Sequence, residues 1–234
     1  MSIGRFAVIF LAACSGSTSD TPDAPVNVPQ TILISGTAEE QDSGGGGPLE
    51  GVLVEAFTNA DESTVITSAT TDAQGNYTLT VTTNGAPLDG FLKATKSGLI
   101  TTFLYPPEPL AADFDRASIN MLSPDTFDLV QGGLLCDANQ DPAKGTIAML
   151  VYDANDAPVA GATISSSPAA SSVCYNGNSG LPSDSATATA DDGIGLMFNV
   201  TGDVTVSATA PGQTFRSHSV KARAATFTTT LVRP

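Results

Sequence analysis

Among its 234 residues the chain has no tryptophan, one histidine, three cysteines and nine lysines and arginines. Each scarcity removes a class of chemistry. A zinc site needs more His or Cys ligands than His218 and three cysteines supply with suitable spacing. A nucleophilic serine would sit in a Gly-x-Ser-x-Gly elbow, and none occurs. No Gly-rich phosphate loop carrying Lys and Ser/Thr is present. Nine cations against 24 acids give a net charge of −15, a polyanion that repels nucleic acid phosphates. No apolar run approaches the ~18–20 residues that span a bilayer as a helix. What remains is Val, Ile, Ala and Leu set among Thr and Ser, punctuated by 22 Gly and 15 Pro. β-branched residues suit pleated strands and Gly and Pro suit turns, so an all-β protein is expected.

The first residues read Met1 to Arg5, then Phe6-Ala-Val-Ile-Phe-Leu11, then Ala12-Ala13-Cys14. A basic residue, a short apolar stretch and small residues have the order of a secretory signal over residues 1–13. Leu11-Ala12-Ala13-Cys14 resembles the bacterial lipobox, which implies a lipid on Cys14 and a membrane partner reached through it. Residues 14–29 are small, polar and Pro-containing, as a flexible tether would be. Ser15 lacks the Asp that resembles an inner-membrane retention signal, so the outer membrane is the expected location.

The body repeats one pattern. Thr31-Ile-Leu-Ile-Ser-Gly36 leads through a Gly-rich insertion to Pro48-Leu49-Glu50-Gly51-Val52. Gly145 to Tyr152 leads through an Asp/Asn turn to Pro158-Val159-Ala160-Gly161-Ala162. Thr71-Asp72-Ala-Gln-Gly75-Asn76 then opens the alternating strand Tyr77, Leu79, Val81. Ala190-Asp191-Asp192-Gly193 does the same before Leu196, Phe198 and Val200, with Gly195 at the aromatic position. Period-two alternation with frequent turns is the mark of a β-sandwich. The Pro-x-x-Gly and Thr-Asp-x-x-Gly-x-Tyr landmarks resemble the carboxypeptidase regulatory-like domain, a transthyretin-like fold. That resemblance implies two tandem seven-stranded Greek-key sandwiches, residues 30–122 and 144–234, and non-catalytic roles. The related Cna-B domains often carry a Lys–Asn crosslink; Lys144 is suitably placed, but the closing strand has no Asn and no crosslink is expected.

Between the copies, in residues 123–143, Ser123-Pro124-Asp125 and Gly132-Gly133 bracket a short helix with a capping serine and a Gly stop. Phe127 and Val130 share a face and are expected to pack at the junction. Export leaves Cys136 and Cys174 as an even pair, expected to form a disulfide. Asp137, Asn139 and Asp141 alternate as the oxygen ligands of an EF-hand loop do, but Pro142 stands where Gly should turn and Ala148 where Glu should close. An Asx-rich turn is the plainer reading, and a weak calcium site the alternative. Sugar sites stack a ring on an aromatic, which singles out Tyr175 with Asn176 and Asn178 in a loop held by the disulfide; a Tyr175 packed over that disulfide is the plainer reading. His218 is expected to be exposed on a closing strand.

Three functions survive. The first is a non-enzymatic surface lipoprotein whose tandem sandwiches serve as a spacer or bind an unidentified protein. The second is a glycan-binding lipoprotein or an accessory subunit of a carbohydrate-processing system. The third, a hydrolase with an unrecognised carboxylate pair, is the poorest, given the single histidine.

Overall fold

A computed structural model describes residues 27–41, 46–132, 135–177 and 180–234. The expected signal segment, Cys14, most of the tether and Asn178 lie outside these residues. The first copy contributes β1 (Thr31–Glu40), β2 (Gly47–Pro48), β3 (Leu53–Thr58) and β4 (Thr67–Thr70), then β5 (Asn76–Thr82), β6 (Gly90–Thr95), β7 (Thr102–Tyr105) and β8 (Ile119–Met121). The helix α1 (Pro124–Gln131) follows. The second copy contributes β9 (Gly145–Val151), β10 (Thr163–Ser167), β11 (Ser172–Asn176), β12 (Pro182–Ser183) and β13 (Ile194–Val200), then β14 (Gly202–Ala210), β15 (Gln213–Thr214), β16 (His218–Ala222) and β17 (Phe227–Val232). The fold is all-β with one short helix, as the sequence implies.

The repeated landmarks become one repeated turn. Thr71 Oγ1 accepts from Val52 N at 2.9 Å and donates to the Leu49 carbonyl. Thr189 Oγ1 accepts from Ala162 N at 2.9 Å and donates to the Val159 carbonyl at 2.6 Å. Both threonines are buried, and each satisfies two backbone groups of the Pro-x-x-Gly corner that would otherwise be stranded. Gly75 and Gly193 have positive φ, and a Cβ at either would lie 2.6 Å from a strand carbonyl, that of Ala38 or Val151. Glycine is required there.

Each copy is a two-layer sandwich, and the two share a layer. In the first, β2-β1-β5 with β8 beside β1 faces β4-β3-β6-β7; in the second, β10-β14 with β15 and β16 faces β12-β11-β13-β9-β17. β17 pairs parallel with β9 on one side and with β7 of the first copy on the other. The facing layers therefore run together as one nine-stranded sheet, β12-β11-β13-β9-β17-β7-β6-β3-β4.

This sheet is covered on both faces, and its strand sequences show it. In β6 and β7, Leu92, Ala94 and Leu104 join the core under β1 and β5, while Phe91, Phe103 and Tyr105 join the core of the second copy. Such strands read as near-continuous apolar runs because both faces carry core side chains. On the second copy's half, Ala148, Leu196, Phe198 and Phe227 are covered by α1 and by Cys136 and Cys174. Ser123 caps α1, its Oγ accepting from Thr126 N at 3.1 Å. Phe127 meets the Phe227 ring edge-on, with centroids 6.3 Å apart. The Cys136–Cys174 disulfide pins the segment after α1 to β11, with Cα atoms 5.7 Å apart.

Candidate functional site

The residues singled out from sequence are for the most part drawn inward. Tyr175 is buried, and its hydroxyl accepts from Ile164 N at 3.0 Å. A Cβ on Gly195 would lie 2.6 Å from Ile164 Cδ1 and 3.1 Å from the Tyr175 ring. Tyr175 therefore fills the volume left where Gly195 replaces an aromatic, and it presents no ring face to a ligand. Asn176 is buried too, its amide donating to Asp192 Oδ2 at 2.7 Å. Neither offers the sugar-binding surface that is the alternative reading of this loop.

Asp137, Asn139 and Asp141 are exposed, the first two with positive φ. The Asp141 carboxylate accepts from Ala143 N at 2.9 Å, an Asx turn. Asn199 Oδ1 accepts from Asp141 N at 2.6 Å. Among the described residues no group of three or more His, Cys, Asp or Glu side chains is arranged to hold a metal ion. His218 departs from expectation. It is half-buried, and Nε2 lies 2.7 Å from Thr230 Oγ1. Burial pushes its pKa down to about 4, so the ring is neutral near pH 7.

The concave surfaces lie where the copies meet, one on each face of the shared sheet. On the face toward β16, a cleft of about 410 Å³ is lined by Glu62, Asp89 and Tyr105 of the first copy and Asp203, His218 and Lys221 of the second. Beside it Arg223 stacks on first-copy rings, with Cζ 4.0 Å from the Phe103 centroid and 4.8 Å from that of Phe91. Glu62 joins Lys221 at 2.8 Å and Arg223 at 2.9 Å. Burial alone would raise the Glu62 pKa, but hydrogen bonds from Lys221 and Arg223 outweigh it and hold it low. Glu62 is thus an ionised latch rather than a proton donor.

On the opposite face a groove of about 480 Å³ runs between β8 and β9, across β17. Leu104, Leu150 and Leu231 contribute apolar lining; Ser118, Asn120 and Tyr152 are also there. Asp156 joins Arg116 of the first copy at 2.6 Å and Arg233 at 3.2 Å. The hydrogen bond from Arg116 lowers the Asp156 pKa, with a further contribution from Arg233. Arg233 Nε is buried and has no acceptor, which among the described residues is true of no other buried side-chain N or O atom. Of the four tyrosines, Tyr77, Tyr105 and Tyr175 are buried and Tyr152 is half-exposed.

The arginines at this junction went unread in the sequence. A usable signal existed: Arg216, Lys221, Arg223 and Arg233 fall within 18 residues of a chain holding nine cations in all. Scarce cations concentrated in one short stretch of an acidic chain mark where ion pairs to distant segments can form.

No protein-family model matches the chain, and no curated protein matches its sequence. Among solved structures it is similar to the TIE protein of Bacillus anthracis, at 12% identity and a TM-score of 0.29. That alignment covers 87% of this chain but 34% of the other, so the chain spans about a third of that protein's length. It is also similar to the shaft pilin SpaA of Lactobacillus rhamnosus GG, at 14% identity, TM-score 0.28, covering 87% of this chain and 98% of that one. The minor pilin GBS52 of Streptococcus agalactiae matches at 14% identity and TM-score 0.28, covering 86% and 94%. At this level of likeness, fold and function rest on the chain's own residues.

Proposed function

We propose that the chain is a non-catalytic surface lipoprotein, held to the outer membrane through a lipid on Cys14, that displays two carboxypeptidase-regulatory-like sandwiches as one stiff unit for spacing or for binding a protein partner. The observation that carries the mechanical half of this reading is β17, which hydrogen-bonds to β7 and β9 at once. Two domains on a flexible linker move independently by default; two domains sharing a sheet cannot reorient without breaking its ladder. Ion pairs reinforce the junction, with Arg116–Asp156, Arg216–Glu108, Lys221–Glu62 and Arg223–Glu62 each joining one copy to the other. Exposed pairs of this kind contribute only ~0–1 kcal/mol each, so they fix orientation more than they add stability. The lipid would supply the membrane affinity, at about 0.8 kcal/mol per buried methylene.

The test is the intact mass of the protein purified from its native membrane, with and without reductant. A cleaved, acylated Cys14 and a gain of two hydrogens on reduction are expected. An unmodified chain retaining residues 1–13 would overturn the anchor and the location built on it.

A further inference from the structure

We propose that the groove between β8 and β9 binds a carboxylate-bearing saccharide, a hexuronate unit, with Arg116 and Arg233 taking the carboxylate and Tyr152 taking the face of the sugar ring. The proposal starts from charge. The chain carries −15 overall, yet the groove's charged lining is two arginines and one aspartate. Asp156 spans both guanidinium groups, Oδ2 on Arg116 Nη1 and Oδ1 on Arg233 Nη1, which leaves one positive charge uncompensated within the lining. Asp115, 4.0 Å from Arg116 Nε, is almost fully exposed and lies outside the lining. Asp115 is held in solvent, where an ion pair is weak, so the groove's own lining keeps more cation than anion.

The second observation is the orphaned Arg233 Nε. A buried charged donor without an acceptor is costly, and an oxyanion is the acceptor that a guanidinium fork takes best, often by two parallel hydrogen bonds. Asp156 already occupies Nη1 and so holds the fork in place for a ligand, in the way supporting residues preorganise a binding site.

The third observation selects a sugar over a bare anion. A volume of about 480 Å³ is within the usual range of small-molecule sites, which pair an apolar lining with a few placed polar groups. Leu104, Leu150 and Leu231 give the apolar part, and Ser118 and Asn120 offer hydroxyl and amide groups to a polyol. Tyr152 is the tyrosine left half-exposed, and an aromatic ring with a wet edge suits the apolar face of a pyranose.

The experiment follows the Arg side-chain Nε–H resonances of the full chain by NMR while it is titrated with digalacturonate, with a neutral digalactose, with acetate and with an acidic peptide. The Arg233 Nε–H signal is expected to move with digalacturonate and to move far less with the other three. Arg233→Gln and Arg116→Gln are each expected to weaken digalacturonate binding about tenfold or more, as loss of a charged hydrogen bond does. Tyr152→Leu should weaken it several-fold, and an unchanged backbone spectrum would show each variant folded. A stationary Nε–H signal, or an equal response to digalactose, acetate or the peptide, would overturn the proposal. None of these outcomes depends on the mass measurement at Cys14.

Discussion

The two copies build the same corner and fill the space beside it differently. Thr71 and Thr189 hold their Pro-x-x-Gly turns with the same pair of hydrogen bonds, and a Cβ on Gly75 or Gly193 would meet a strand carbonyl at the same 2.6 Å. Yet Tyr77 fills the first core from β5, its hydroxyl donating to the Ala117 carbonyl, while in the second Gly195 leaves a gap that Tyr175 enters from β11. Backbone hydrogen bonds at a corner have few geometric solutions, so the residues that make them recur. Apolar volume can be supplied from any neighbouring strand, so the residue that provides it is free to move.

The comparison can be broken most severely where the copies join. Thr229→Pro removes an N–H from the strand paired on both sides, where Pro costs about 3 kcal/mol or more. Loss of both copies together in a single thermal transition is expected; a first copy that stays folded while the second melts would show that the shared sheet does not couple them. Next, Tyr175→Ala should cost about 3–4 kcal/mol through the cavity it opens and through the stranded Ile164 N–H. Adding Gly195→Tyr should return part of that loss, whereas Gly195→Tyr alone should clash with Tyr175. Denaturant melts of the two single variants and the double variant measure the coupling, and simple additivity would mean that the two positions do not share one volume.

Thr71→Val and Thr189→Val probe what the copies have in common. Each strands two buried backbone groups, at about 1–3 kcal/mol, and the two variants should lose equal stability within about 0.5 kcal/mol. A loss in one copy and none in the other would show that the corners only look alike. The smallest effect is the pH response of His218. Its folded pKa of about 4 lies below the unfolded value of 6.5, so the unfolded chain binds more protons between those values. Stability should therefore fall as pH drops from 6.5 to 4 and gain no further loss from this residue below 4. Solvent reaching the half-buried ring reduces the effect to roughly 1–2 kcal/mol. The lowered carboxylates Glu62 and Asp156 lose their contributions at lower pH, as they titrate through their folded pKa values. His218→Gln should flatten the upper window alone, and an unchanged slope there would show that the imidazole does not titrate against folding.

Much of the fold was legible because it is written in local chemistry. The Pro-x-x-Gly and Gly75/Gly193 turns, the alternation of Tyr77, Leu79 and Val81, and the Ser123 cap each depend on residues a few positions apart. The pairing of Cys136 with Cys174 was legible once the lipobox resemblance set Cys14 apart, which leaves two of three cysteines. The junction was not legible for the opposite reason. Period-two patterning says that Phe91, Phe103 and Tyr105 are buried but not what covers them, and Arg223, which does, lies more than 110 positions later. That Tyr175 packs inward is the plainer reading of its loop, but what it packs against was not legible, because the missing side chain at Gly195 sits 20 positions away on a paired strand. The groove draws Arg116, Tyr152 and Arg233 from three separate segments, and no window along the chain contains them together.

The pairing of β7 with β17 also sets a schedule for folding. Thr229 and Thr230 bond to carbonyls of Phe103 and Tyr105 some 125 positions earlier. As synthesis proceeds at about 5–20 residues per second, β7 spends several seconds or more as an unpaired edge, with Phe91, Phe103 and Tyr105 bare on one side. An open edge with an apolar face is a template for wrong pairing. The first copy, although complete in sequence, stays adhesive until the second has been made, and a chain cut short before Phe227 would be left with that surface uncovered.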